Sequence, residues 1–265
     1  MWGWISNMRK FAVIMPGFAL IAGVFGFILR RRELETVFDA VTGLPERGAG
    51  VTLGLIMLSV AVLVIGLIFS IAAKVKYDSP QGFENAFGTH SVAYPLFFLV
   101  IGLLWLAAAV LHFFNRDYTE TVAELYFSVL AGLAAISSIF FAVEVYKNPG
   151  RKLKLGLSVV PTLFTCFWLI LLYRRNASNP VLLTYVYHCL ALIAATVSFY
   201  LYAGFVFNKS APGKTIFFCA ASIFFCTVTL ADEHALWARV ILAVIIAVNF
   251  VNGAMLIKNL ERRNP

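Results

Sequence analysis

Residues 51–73 read VTLGLIMLSVAVLVIGLIFSIAA, a stretch with no Asp, Glu, Lys, Arg, His, Asn or Gln. At 1.5 Å per residue, a helix of this length crosses the ~30 Å hydrocarbon layer of a bilayer. A surface helix of a soluble domain keeps a polar face, and here only Thr52, Ser59 and Ser70 are available for one. A barrel strand needs only about ten residues. The stretch is a membrane-spanning helix, and seven more apolar runs accompany it at 11–29, 93–114, 123–146, 155–173, 181–207, 215–231 and 236–257. Only helices and closed barrels satisfy every backbone group in lipid. The sequence therefore predicts an all-α, polytopic transmembrane bundle of about eight helices, or seven if the first run does not span. It reads as one integral membrane domain over residues 1–265.

Composition agrees. Hydrophobic residues make up 61% of the chain and charged ones 13%, against about 25% charged in a soluble domain. The net charge of +8 does not point to nucleic acid, because the cations sit in short clusters between apolar runs and form no basic stripe. No nucleic-acid partner is expected; the lipid bilayer is the expected surrounding. Cys166, Cys189, Cys219 and Cys226 all fall inside apolar runs without CxxC spacing, so they read as small buried hydrophobes. The first run ends in Arg30-Arg31-Arg32 instead of a small-residue cleavage site, which marks it as retained.

Cation placement sets the orientation. With the N-terminus in the cytoplasm, inner segments hold thirteen Lys and Arg and outer segments eight. Both termini are thus expected inside, in a plasma membrane. The Arg30–Arg32 triplet runs against the trend, since it falls just outside the first run. In the connector 30–50, Leu34, Val37, Phe38, Val41 and Leu44 recur at helical spacing before Gly43 and Pro45 break it. A short amphipathic helix lying on the outer interface is expected there, its arginines snorkelling into headgroups or pairing with acids one turn away.

The segment Glu35-Thr36-Val37-Phe38-Asp39-Ala40-Val41-Thr42-Gly43-Leu44-Pro45-Glu46-Arg47-Gly48-Ala49, set between two apolar helices, resembles uncharacterised multi-pass membrane proteins of gut clostridia-type bacteria. The likeness covers roughly the first quarter of the chain. It implies a bacterial plasma membrane and carries no chemistry.

The chain has no HExxH, P-loop, GxGxxG or GxSxG. No catalytic residue, metal ligand or cofactor is assigned from sequence. What remains are polar groups within apolar runs, which are costly in hydrocarbon. His112 ends the third run, His188 lies about two turns into the sixth, and His234 falls in the turn before the eighth. Glu124, Asp117, Glu120, Asp232 and Glu233 map to the same end, with Tyr126, Tyr185 and Tyr187. These groups either anchor helix ends in the headgroups, as Trp2, Trp4 and Trp237 do in an aromatic belt, or line an outward vestibule for a cation, a metal or a basic solute. Towards the inner side, Asn249 and Asn252 are either glue between helices or the lining of a solute path, with Glu144 titrating beside it.

Ligand-binding candidates are thus His188, His112, His234, Glu124, Asn249, Asn252 and Glu144. The function these imply is a small permease or solute-binding protein for a small solute or ion. The rival from another class is a partner or sensor subunit that binds a neighbouring membrane protein. A third is an intramembrane lipid-modifying enzyme with His188 or Glu144 as acid–base group.

Overall fold

The computed structural model describes residues 13–39, 44–46, 48–78, 80, 82–89, 91–115, 121–147 and 154–262. Side chains at 76, 84, 121, 141–147, 154–156, 261 and 262 lie outside that description, and Glu144 is among them. Trp2, Trp4, Asp117 and Glu120 also fall outside the described residues.

Among the described residues, eight helices are long and apolar enough to span: α1 (Ile14–Thr36), α2 (Gly50–Lys76), α4 (Ala93–Phe114), α5 (Thr121–Lys147), α6 (Lys154–Asn176), α7 (Val186–Val206), α8 (Pro212–Thr229) and α9 (Leu236–Asn259). The molecule is an all-α integral membrane bundle, and the first run forms a full helix of 23 residues. A short helix α3 (Gly82–Phe87) and a two-residue strand pair, β1 (Tyr77–Asp78) with β2 (Glu261–Arg262), complete it.

Six helices close a ring. Each of α4 to α9 packs on its successor, and α9 returns to α4. The α1–α2 hairpin lies outside this ring against α8, which touches four helices and is the most enclosed span. By contrast α2 is peripheral. Met57 and Ile68 are 72% and 62% exposed, the condition expected of side chains that face lipid tails. Small residues set the α1–α8 approach, as the spacing Ala19-xxx-Gly23 and Ala22-xxx-Gly26 suggests. A methyl group added at Gly26 would lie 2.6 Å from Val228 Cγ2, and one at Gly23 would lie 2.8 Å from Thr227 Cβ. Gly26→Leu is therefore expected to cost about 1–3 kcal/mol by overpacking. Thermal unfolding in mild detergent reads this, with Gly17→Ala as the silent control because nothing approaches Gly17 within 4 Å.

Turn chemistry fixes the helix ends. After α7, Asn208 takes φ 57°, a left-handed state that asparagine tolerates. Asn208 N–H then donates to Phe205 O and Lys209 N–H to Gly204 O, which satisfies the last carbonyls of the helix. Pro212 at the start of α8 lacks an N–H where none is needed. Inside α6, Pro161 cannot bond the carbonyl of Leu157. Ser137 of α5 donates its hydroxyl to that same Leu157 oxygen, so a defect in one helix becomes a tether to the next.

We call the end where α1 begins the proximal face and the opposite end the distal face. On the proximal face, Asn259 donates from Nδ2 to Ala86 O (3.0 Å) and Gly88 O (3.1 Å), closing the C-terminal end of α3. Phe87 sits edge-on to Tyr202 and Phe205. On the distal face, the helical spacing noted over 30–50 belongs to α1 as far as Thr36. Val37 and Phe38 leave the helix and Phe38 bridges Pro45 antiparallel, while Val41 and Gly43 of the expected interfacial helix lie outside the described residues.

Candidate functional site

Three side-chain clusters, two polar and one aromatic, gather at the distal face among the described residues. The first is centred on Arg30, which is 0% exposed. Because α1 runs on to Thr36, this arginine belongs to the helix and not to a loop, which corrects the placement expected from the apolar run. Its Nε donates to Asp232 Oδ1 (2.7 Å), Nη1 to Glu33 Oε2 (2.7 Å) and Nη2 to Thr184 O (3.2 Å). Its guanidinium also lies 5.1 Å from the ring centre of Tyr187. Thr229 Oγ1 donates to the second oxygen of Asp232 (2.7 Å). One side chain thus joins α1, the start of α7 and the α8–α9 turn. Arg31 and Glu35, exposed on the same helix, form the pair one turn apart that the sequence suggested.

The second cluster is built on Glu124, 3% exposed. His112 Nε2 donates to Glu124 Oε2 (3.0 Å), and His112 Nδ1 lies 2.7 Å from Ser128 Oγ. Arg175 of α6 donates to Glu124 Oε1. Ser128 Oγ is also 3.1 Å from Glu124 O, so its one proton serves either that carbonyl or His112 Nδ1.

The third cluster is aromatic. Trp168 of α6 and Trp237 of α9 stand 5.9 Å apart between ring centres, Trp168 is 5.3 Å from His188, and His188 is 4.7 Å from His234. Trp237 also packs against His112 at 4.5 Å, which places the Glu124 cluster directly behind this wall. Thr229, having given its proton to Asp232, is 3.3 Å from His234 Nε2, so His234 is the donor in that contact. Burial holds the His234 imidazole below its usual pKa, against the raising influence of Asp232.

Between α6, α7, α9 and the α8–α9 turn the third cluster borders an open cavity of about 600 Å³. Its walls include Trp168, Arg175, His188, His234 and Trp237. His188 is 7% exposed, and its Nε2 has no hydrogen-bond partner. Behind Trp168, and not lining the cavity, lies a layer of large rings, with Phe164 and Phe127 packed on the indole. Trp105, Phe127 and Phe164 are each at most 1% exposed, with Phe164 5.5 Å from Trp105 and 5.2 Å from Phe127.

The structure sorts the residues singled out from sequence. His188 and His234 meet at the cavity. His112 and Glu124 pair with each other behind its wall, not on its surface. His188 lies in the first turn of α7, shallower than the apolar run implied. Asn179 accepts from Val181 N–H and the 3₁₀ turn Leu182–Thr184 delays the helix to Val186. Asn249 and Asn252 lie in the other half. Tyr202 donates to Asn249 Oδ1 (3.1 Å), while Asn249 Nδ2 donates to Ser222 Oγ and Ile245 O. Tyr94 donates to Asn252 Oδ1 (3.0 Å) beside a narrow proximal cleft of about 60 Å³. Both asparagines join helices, Asn249 with both side-chain polar atoms engaged and Asn252 through Oδ1.

Ser128, Arg175 and Trp168 are not site candidates from sequence, and Arg30 and Glu33 read there as interfacial connector residues, not as a buried pair. Only Arg30 and Glu33 carried a signal, the i,i+3 spacing of opposite charges on a helix that outlasts its apolar run. Among the described residues no group of three or more His, Cys, Asp or Glu is arranged to hold a metal ion. Compared with known protein families, curated proteins and solved structures, the chain matches none.

Proposed function

We propose that this is a solute-binding membrane protein of the permease type, open at its distal face. The observation that carries this reading is the distal cavity, whose volume falls in the ~300–1,000 Å³ range of small-molecule sites. Its mix of indole walls and a few polar groups is what such sites use: apolar area for affinity, sparse donors for orientation. The ring layer at Trp105 and Phe164 lies behind the cavity wall, and the Tyr94–Asn252 cleft lies on the proximal side of that layer. A polar recess on each side of a closed middle suits alternating access. The excess of Lys and Arg at the proximal end supports a cytoplasmic proximal face. The resemblance of residues 35–49 supports a bacterial plasma membrane.

The test is thermal unfolding of the purified protein against a panel of organic anions, cations and neutral compounds. At least one is expected to raise the midpoint, and Trp237→Ala, which removes a cavity wall, is expected to abolish that rise. A panel without any effect would remove the reading. The closed ring layer favours one rival, a sensor that binds without transport. Flux into liposomes separates the two, because a sensor binds the solute and leaves it outside.

A further inference from the structure

We infer that the distal cavity selects an organic anion, a carboxylate or phosphate borne on an apolar body. This rests on the cavity being a solute site and concerns the charge it accepts. Hydrogen-bonding capacity at and behind the walls decides that charge. The buried carboxylates of Asp232 and Glu124 are already engaged at both oxygens. Asp232 receives Arg30 Nε on one oxygen and Thr229 Oγ1 on the other, and Glu124, behind the wall, receives His112 and Arg175. Glu233 is exposed at the rim, in water, where its field is screened.

The donors are not spent. Arg175 has five N–H groups, gives one bond to Glu124, and keeps its side chain 44% exposed on the cavity. His188, more than nine-tenths buried, has Nε2 without a partner, and the tautomer protonated there adds a donor. Two long helices also begin at this cavity. Tyr185 and Ala235 stand at the N-caps of α7 and α9, and neither helix has a side-chain cap. Their first N–H groups and the positive ends of their dipoles favour an anion. The opposing negative end of α6 is offset by Arg174 and Arg175 in its last turn. The indoles of Trp168 and Trp237 then take the apolar body.

The experiment uses the full chain in nanodiscs of phosphatidylcholine, with phenylacetate, phenethylamine and 2-phenylethanol as probes that share one ring and differ in charge. Phenylacetate is expected to bind about tenfold more tightly than phenethylamine, by equilibrium dialysis. Arg175→Gln combined with Glu124→Gln, which leaves no lone buried charge, is expected to remove that preference while 2-phenylethanol binding stays. His188→Leu, which removes the ring N–H and no charge, is expected to weaken phenylacetate alone. Equal or tighter binding of phenethylamine overturns the anion assignment and leaves the solute reading intact. Binding of none of the three overturns both. Exchanging part of the phosphatidylcholine for phosphatidylglycerol identifies the source. Loss of phenylacetate binding marks a lipid headgroup as the anion, and unchanged binding marks a free acid.

Discussion

Arg30→Ala is expected to cost about 3–5 kcal/mol, enough to unfold much of the protein in detergent at ambient temperature. The cost does not come from losing attraction alone. Glu33 and Asp232 would remain buried with no cation beside them, and a carboxylate taken out of water without a partner is among the most expensive groups in a protein. Glu33 is fully buried and one of its oxygens already lacks a partner. Removing the whole set should cost far less, because an apolar replacement needs no compensation. The combination Arg30→Met, Glu33→Leu and Asp232→Asn is expected to recover most of the lost unfolding midpoint, the asparagine still accepting from Thr229. An alanine variant that melts with the wild type would mean that Arg30 does not hold the distal end together.

Phe164→Ala is expected to be the most damaging apolar change, at about 3 kcal/mol or more. Its ring is fully buried and meets Trp105, Phe127 and Trp168. In a membrane bundle the loss is of packing rather than of shelter from water, since lipid is as apolar as the core. The vacancy would fall in the layer that separates the distal cavity from the proximal cleft. A second effect therefore distinguishes this variant from ordinary core damage. Liposomes containing it are expected to leak small solutes that the wild type retains. Ile216→Ala on α8, also buried but outside the ring layer, is expected to lower stability without leak. Leak from both, or from neither, would show that the layer is not the barrier.

The spans were legible because each is a long apolar run, and hydrocarbon imposes a length that no soluble element must match. The boundaries were less so. The helix carrying Arg30 and Glu33 continues past its apolar run because buried pairing, not hydropathy, holds its last two turns. The helix carrying His188 starts later than its run because Asn179 and Thr184 bond into a turn first. The short helix α3 was missed for a related reason. Six residues have too little periodicity to read, and its stability comes from Asn259, far away in the chain.

Of the site, the histidines were legible as polar groups out of place. Their partners were not, since His112, Glu124 and Arg175 lie on three helices and no spacing along one element links them. Asn249 was visible as a buried amide, but whether it faced a path or a neighbour depended on Tyr202 and Ser222. Pairing between helices is decided by the bundle. A lone sequence does not contain it in readable form.

The ring is sealed by α4 against α9, the first and last of its members to leave the ribosome. While α5 to α8 are being threaded into the bilayer, the flank of α4 that will meet α9 has only lipid beside it, and α3 waits for the asparagine that closes it. The nascent bundle must therefore spend its synthesis as an open crescent, able to admit lipid into what becomes its interior. A chain stalled before α9 would keep that flank of α4 open.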